Sequence, residues 1–224
     1  MQLEKVTNRA KSETRRGYDD ACGTAHGLEL IGERWALLVL RELMLGPRRF
    51  SELKADLPGI SANVLTQRLS ELEAKGLVRR RRLPPPASVQ VYEATEWGLE
   101  AEPVIQTLGR WAARSPAHNP QLPLSGVSIM LSFRTMLDRA KAAGVSGLVG
   151  FRFGEDHYVG RLDDGGFEVE RGDTATCDVT FTCSPTELAA IVYGGAPLET
   201  IDVDGDKALA RRFVSLFPLP AKVA

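Results

Sequence analysis

Four side chains in the stretch SANVLTQRLSELEAKG, residues 61–76, have the chemistry to read base edges in double-stranded DNA. At about 100° per residue, Asn63, Thr66, Gln67 and Ser70 fall on one side of a helix whose other side carries Leu65, Leu69 and Leu72. The polar stripe is uncharged. Asn and Gln can pair bidentately with adenine in the major groove, and Thr offers a hydroxyl and a methyl to thymine. Ser61 is a good N-cap for such a helix and Gly76 a good stop. Four arginines, Arg79, Arg80, Arg81 and Arg82, follow at once. On a strand they alternate, so two are expected at phosphates and two solvated or ion-paired. Arg48 and Arg49, at the start of the preceding short helix, are further phosphate candidates, because that helix crosses the DNA backbone in a helix-turn-helix. Arg68 lies at the edge of the apolar side, where a structural salt bridge and a DNA contact both stay open.

The elements needed to hold these groups are legible around them. The segment TAHGLELIGERWALLVLREL, 24–43, carries Leu28, Ile31, Trp35, Leu38, Val39 and Leu43 at helical spacing and ends at Gly46-Pro47. RRFSELKADL predicts a second short helix with Phe50, Leu53 and Leu57 inward, closed by Pro58-Gly59. After the third helix, LVRRRRLPPPASVQVYEAT predicts a two-stranded hairpin with Pro84 to Pro86 at its tip, and WGLEAEPVIQTLGRWAARS an amphipathic helix. Helix, helix-turn-helix, hairpin, helix is the order of a winged helix-turn-helix. The prolines at 116, 120 and 123 predict a linker, so the expected division is 1–116 for DNA binding and dimerisation, 117–124 as linker, and 125–224 as a smaller domain. There SGVSIMLSFRTMLDRAKAAG is helical, and GLVGFRFGE, HYVGRLDDG, GFEVERG and CDVTFTCS read as an antiparallel meander. PTELAAIVYGG and DKALARRFVSLF then return as helices. The fold class is α+β.

Composition is consistent with this and excludes other classes. The net charge of -1 conceals 18 Lys+Arg against 15 Asp+Glu up to Pro116 and 10 against 14 after it, a basic front half and an acidic back half. No run approaches the roughly 20 apolar residues of a membrane span, and the opening twenty residues lack the apolar segment of a secretory signal, so a cytoplasmic protein with no membrane partner is expected. Three cysteines at no metal-ligand spacing predict thiols and no metal site. Cys177 and Cys183 are expected on one strand about 20 Å apart. Asp202, Asp204 and Asp206 read as turn residues. No nucleophile-base set or phosphate-cradling glycine loop is present, so no enzyme and no cofactor are expected.

The ordered motifs C…LELIGERWALLVLREL, GPRRFSEL, PGISANVLTQRLSELEAKGLV, PPPASVQVYEATEWG and PVIQTLGRWA resemble the HxlR family of bacterial transcription regulators, within the MarR-like superfamily, over about residues 20–114. The resemblance implies a homodimer built by the first and last helices, here around Trp35, Leu99, Ile105, Leu108 and Trp111. It also aligns Cys22 with a cysteine that some members use as a redox or electrophile sensor, although Gly23-Thr24 stands where the family commonly has proline. A thiol near a helix N-terminus gains thiolate character, and His26 lies one turn on.

The motifs DVTFTCSPTELAAIVYGGAP and IDVDGDKALARRFVSLF are similar to sterol carrier protein type two domains over about residues 125–220. That similarity implies an apolar cavity for a hydrophobic small-molecule effector, with Met130, Phe133, Leu137, Phe151, Phe181, Ile191 and Phe213 as candidate lining. The reading at this point is a sequence-specific DNA-binding regulator, a homodimer on a double-stranded operator, acting as a repressor. The alternative is a lipid carrier whose front domain serves dimerisation.

Overall fold

The computed structural model describes residues 17–223; the polar opening stretch, on which the absence of a secretory segment was read, lies almost wholly outside them. In the N-terminal part, α1 (Gly23–Ile31) and α2 (Ala36–Glu42) are followed by α3 (Phe50–Asp56) and α4 (Ala62–Ala74). The hairpin β1 (Val78–Arg82) and β2 (Gln90–Ala94) comes next, then α5 (Glu96–Leu99) and α6 (Glu102–Ala112). The single helix expected over 24–43 is two. Gly32 caps α1, where a Cβ would lie 2.4 Å from the Leu28 carbonyl oxygen. Trp35 then takes a left-handed φ of 78° at the start of α2. This break rotates the apolar stripe: Ala36, Val39, Leu40 and Leu43 enter the core, while Leu28 and Leu38 stay exposed.

The recognition-type helix α4 is positioned by local rules. Ser61 accepts a hydrogen bond from the Val64 N–H at 3.2 Å, satisfying one of the first-turn donors. Leu65, Leu69 and Leu72 are fully buried, each removing apolar area worth about 1.5–3 kcal/mol from water. Thr95 ties three elements together: its hydroxyl donates to the Gly76 carbonyl at 2.7 Å and accepts from the Gly98 N–H at 3.0 Å. The hairpin is therefore pinned to the end of α4. An isolated antiparallel bridge, Arg48 to Tyr92 with backbone bonds in both directions, joins the hairpin to the segment just before α3.

The C-terminal part begins with α7 (Gly126–Met136) and α8 (Arg139–Ala142), then β3 (Gly147–Phe153), β4 (Asp156–Asp163), β5 (Gly166–Arg171) and β6 (Val179–Thr182). It closes with α9 (Pro185–Gly194), a short 3-10 turn, β7 (Asp202–Gly205) and α10 (Lys207–Val214). The five-stranded sheet has the order β5-β4-β3-β6-β7. Only β3, β4 and β5 form the expected meander; β6 crosses over and pairs parallel with β3, and β7 pairs antiparallel with β6. The strand at β6 is short, so Cys177 and Cys183 fall outside it at either end. Asp202 and Asp204, read as turn residues, belong to β7, and Asp206 caps α10.

Side chains fill the interior where a ligand cavity was expected. Phe133 lies 4.5 Å from Phe217 and 5.3 Å from Phe213, ring centre to ring centre, and Phe151 lies 5.8 Å from Phe181. Gly160 makes room for this cluster, since a Cβ there would sit 2.4 Å from the Phe167 ring. Met130, Phe133, Phe151, Phe181 and Phe213 are fully buried, Ile191 is nearly so, and Leu137 packs on the same core. These seven residues pack in the core, because the rings of Phe133, Phe151, Phe167, Phe181, Phe213 and Phe217 occupy the volume between sheet and helices.

Buried apolar residues of the two parts meet in one continuous cluster. Polar links cross the seam. Arg134 Nη1 reaches both oxygens of Glu102 at 2.8 and 2.9 Å, and the Ser125 hydroxyl donates to the buried Glu42 carboxylate at 2.9 Å. Burial holds Glu42 above the ordinary carboxylate range, with the neighbouring Arg41 opposing that effect.

Candidate nucleic-acid interface

Asn63, Thr66, Gln67 and Ser70 are all exposed along the outer side of α4. The Thr66 hydroxyl donates to the Ala62 carbonyl at 2.9 Å, and Gln67 Nε2 donates to Glu71 at 2.9 Å. Engaging a base would exchange that Gln67 bond for one to the base edge. Ser61 keeps its hydroxyl hydrogen free of the cap, since the cap uses only its oxygen as acceptor.

The wing arginines separate as strand alternation requires. Arg79 and Arg81 converge on one carboxylate, Glu93, at 2.6 and 2.8 Å. Burial opposes ionisation of Glu93, but the hydrogen bonds from Arg81 and Arg79 outweigh it and hold the group below its ordinary range. Two guanidinium groups on one carboxylate leave an excess positive charge on that face. Arg80 pairs with Glu73 at 3.1 Å, and Arg82 donates to the Ser88 carbonyl at 3.3 Å rather than to a carboxylate. All four side chains remain exposed, as does Arg49, whose backbone N–H is met by Glu52 at 2.7 Å. Glu93 was not singled out from sequence; its signal is the alternation VYE, which puts it opposite Arg79 in the ladder.

One expected phosphate contact, at Arg48, is withdrawn, and the choice left open at Arg68 goes to a salt bridge. Arg48 is only 6% exposed and binds Asp56 and, across the seam, Asp156 at 2.7 Å. Burial disfavours its charge, yet the hydrogen bond it donates to Asp156 and the charges of Asp56 and Asp156 keep it firmly protonated. Arg68 is buried against Glu71, with Glu33 at 3.5 Å. Neither can reach a phosphate without breaking these pairs, so both are structural.

The residues read as a dimer face divide. Leu99 is 42%, Leu108 46% and Trp111 70% exposed, whereas Trp35 and Ile105 are half-buried on the core of their own chain. Val104, 51% exposed, completes an apolar stripe with Leu108 and Trp111 at i, i+4, i+7 and was missed, although that spacing is its signal. Cys22 is exposed at the N-cap of α1, and hydrogen bonds from the backbone and hydroxyl of Thr24 and the backbone of Ala25 draw its thiol below the ordinary value. His26 pairs with Glu29 at 3.1 Å. Among the described residues, no group of His, Cys, Asp and Glu is arranged to hold a metal ion. No helix among them is long and apolar enough to cross a membrane.

Helix, turn, helix and a two-stranded wing with an outward hydrogen-bonding stripe define a winged helix-turn-helix. A family model described as HxlR-like helix-turn-helix matches residues 30–119. YkvN of Bacillus subtilis (strain 168), an uncharacterized HTH-type transcriptional regulator, is 44% identical over 94 residues, which span 41% of this chain and 77% of that protein. The HTH-type transcriptional regulator YodB of the same organism is 40% identical over 83 residues, 37% of this chain and 74% of YodB. The reduced form of YodB superposes with a TM-score of 0.39 at 34% identity, covering 44% of this chain and 97% of that structure. The chain belongs to the HxlR-like helix-turn-helix family, whose members matched here are transcriptional regulators and not enzymes.

Proposed function

We propose that the protein is a homodimeric, sequence-specific transcription regulator acting as a repressor, with two modules divided at 117–124. The observation that carries the reading is the exposed, uncharged stripe of Asn63, Thr66, Gln67 and Ser70 beside a wing with excess positive charge. Asn63, Thr66 and Gln67 would read base edges, while Ser61, Arg49 and members of the Arg79–Arg82 run would meet phosphates. The apolar stripe on α6, with Leu99, supports pairing of two copies; a twofold dimer would span half-sites about 34–36 Å apart or a multiple of that. Similarity to sterol carrier protein type two remains the reading for the back module, whose filled interior removes the support for a carrier.

The test is selection of genomic fragments by the purified chain, followed by titration of the best fragment in rising salt. A pseudo-palindrome bound with a steep salt dependence is the expected result. Asn63→Ala with Gln67→Ala should weaken that fragment at least tenfold, or about 1.4 kcal/mol, while random DNA changes little. Equal enrichment of all fragments would overturn the reading.

A further inference from the structure

An apolar cavity lies at the seam between the two parts, outside the back module's own core. Its volume is about 630 Å³, and its walls come from α2, α6, residues 117–124, α7 and α9. Leu38, Leu108 and Leu131 supply apolar wall, and Ser132 with Tyr193 supplies a polar point. Small-molecule pockets of about 300–1,000 Å³ lie preferentially at such junctions between modules, mostly apolar with a few fixed polar groups.

Three observations separate this space from loose packing. The phenylalanine core beside it is tightly filled, so the chain does not lack the means to pack. Gly109, in the middle of α6, lines the cavity, and a Cβ there would meet nothing within 4 Å. A mid-helix glycine gives up about 1 kcal/mol relative to alanine, and here no close approach requires it. The glycine leaves room. Lastly, the Ser132 and Tyr193 hydroxyls share one hydrogen bond of 2.6 Å, which consumes one of their two hydrogens and leaves the other to donate.

The polar groups also define the charge of the occupant. Arg41 reaches the cavity wall, but its guanidinium lies 2.6 Å from the buried Glu42 carboxylate. Its charge is matched by Glu42, so apart from the His118 imidazole on the 117–124 segment the wall offers no unpaired cation to a carboxylate or phosphate.

We infer that this seam cavity is the binding site of a neutral, mainly apolar small molecule that carries a hydrogen-bond acceptor such as a ketone oxygen. The acceptor meets the Ser132–Tyr193 hydroxyl pair, and the apolar body lies between α2, α6 and α7. Because α2 belongs to the DNA-binding part and α7 and α9 to the back module, the occupant touches both. Any regulatory use of the site rests on the regulator reading above; the binding itself does not.

The test uses the full chain and prodan, a neutral naphthyl ketone whose emission moves to the blue in apolar surroundings. Gly109→Leu and Ala112→Leu fill the cavity from α6, and Trp97→Gln removes an exposed ring that is not part of its wall. Circular dichroism melts establish that each variant is folded, and binding to the selected DNA fragment is read in parallel. The expected result is one blue-shifted prodan per chain, weakened at least tenfold by either filling variant and unchanged by Trp97→Gln. No blue shift with the unaltered chain, binding that survives both folded filling variants, or equal loss in Trp97→Gln would overturn the site. If the unaltered chain selects no DNA while the prodan pattern holds, the regulator reading fails and the cavity assignment stands.

Discussion

Arginine chemistry alone does not decide what an arginine does here; its surroundings do. Arg48 and Arg82 both stand in basic stretches beside the helix-turn-helix, yet one is enclosed by Asp56 and Asp156 and the other extends from an exposed strand. Removing the Arg48 side chain strips the counter-charge from Asp56 and leaves Asp156 with Arg171 alone. Arg48→Ala should therefore cost about 2–3 kcal/mol, measured by urea denaturation. Arg82→Ala should leave the urea midpoint unchanged, lower affinity for all DNA sequences several-fold, and reduce the salt slope by about 0.9. A shifted midpoint for Arg82→Ala, or none for Arg48→Ala, would reverse these assignments. Cysteine behaves alike: the Cys22 thiol is exposed and lowered by first-turn donors, burial pushes the Cys183 thiol up to about 12, and burial also raises Cys177. Iodoacetamide at neutral pH should thus label Cys22 first in the folded protein, as peptide mass mapping will read.

At the scale of elements, the recognition-type helix was legible because every determinant is local. Its cap, its leucine spacing and its stop all lie within residues 61–76, and Ser61 and the three buried leucines take the places that 3.6-residue periodicity assigns. The first helix was misread for a complementary reason. Apolar spacing continues across Gly32 to Trp35, but the backbone turns left-handed at Trp35, whose ring packs against the core, and the helix is split there. The wing hangs on Thr95, which no periodicity reveals as special. Thr95→Ala should remove both its hydrogen bonds and cost about 1–2 kcal/mol, with amide exchange rising first in β1 and β2. Uniform exchange across the chain would show instead that the hairpin has no separate anchor.

On the scale of the whole molecule, the seam joins α3 to the β3–β4 turn through charge. Asp156 faces Arg48 and Arg171, and although burial opposes its ionisation, those two guanidinium groups hold it below the ordinary aspartate range. A carboxylate depressed in the folded state contributes stability that is present above about pH 4 and lost as pH falls below it. The thermal midpoint should drop in that acid window, and Asp156→Asn should flatten the drop while lowering the midpoint at pH 7. A parallel acid profile in Asp156→Asn would mean that other carboxylates carry it.

The amino-acid sequence by itself determined the helix-turn-helix, the hairpin, the exposed hydrogen-bonding stripe and most of the strands, because these follow from caps, turn residues and periodicity within short windows. Only the tertiary structure decided which arginines are free, that β6 runs parallel to β3, that the phenylalanine core is closed, and that open space lies at the seam instead. Each of these depends on partners far apart in the chain, such as Arg48 with Asp156 or α6 with α7. Burial and pairing are properties of a neighbourhood, and the neighbourhood is assembled only on folding.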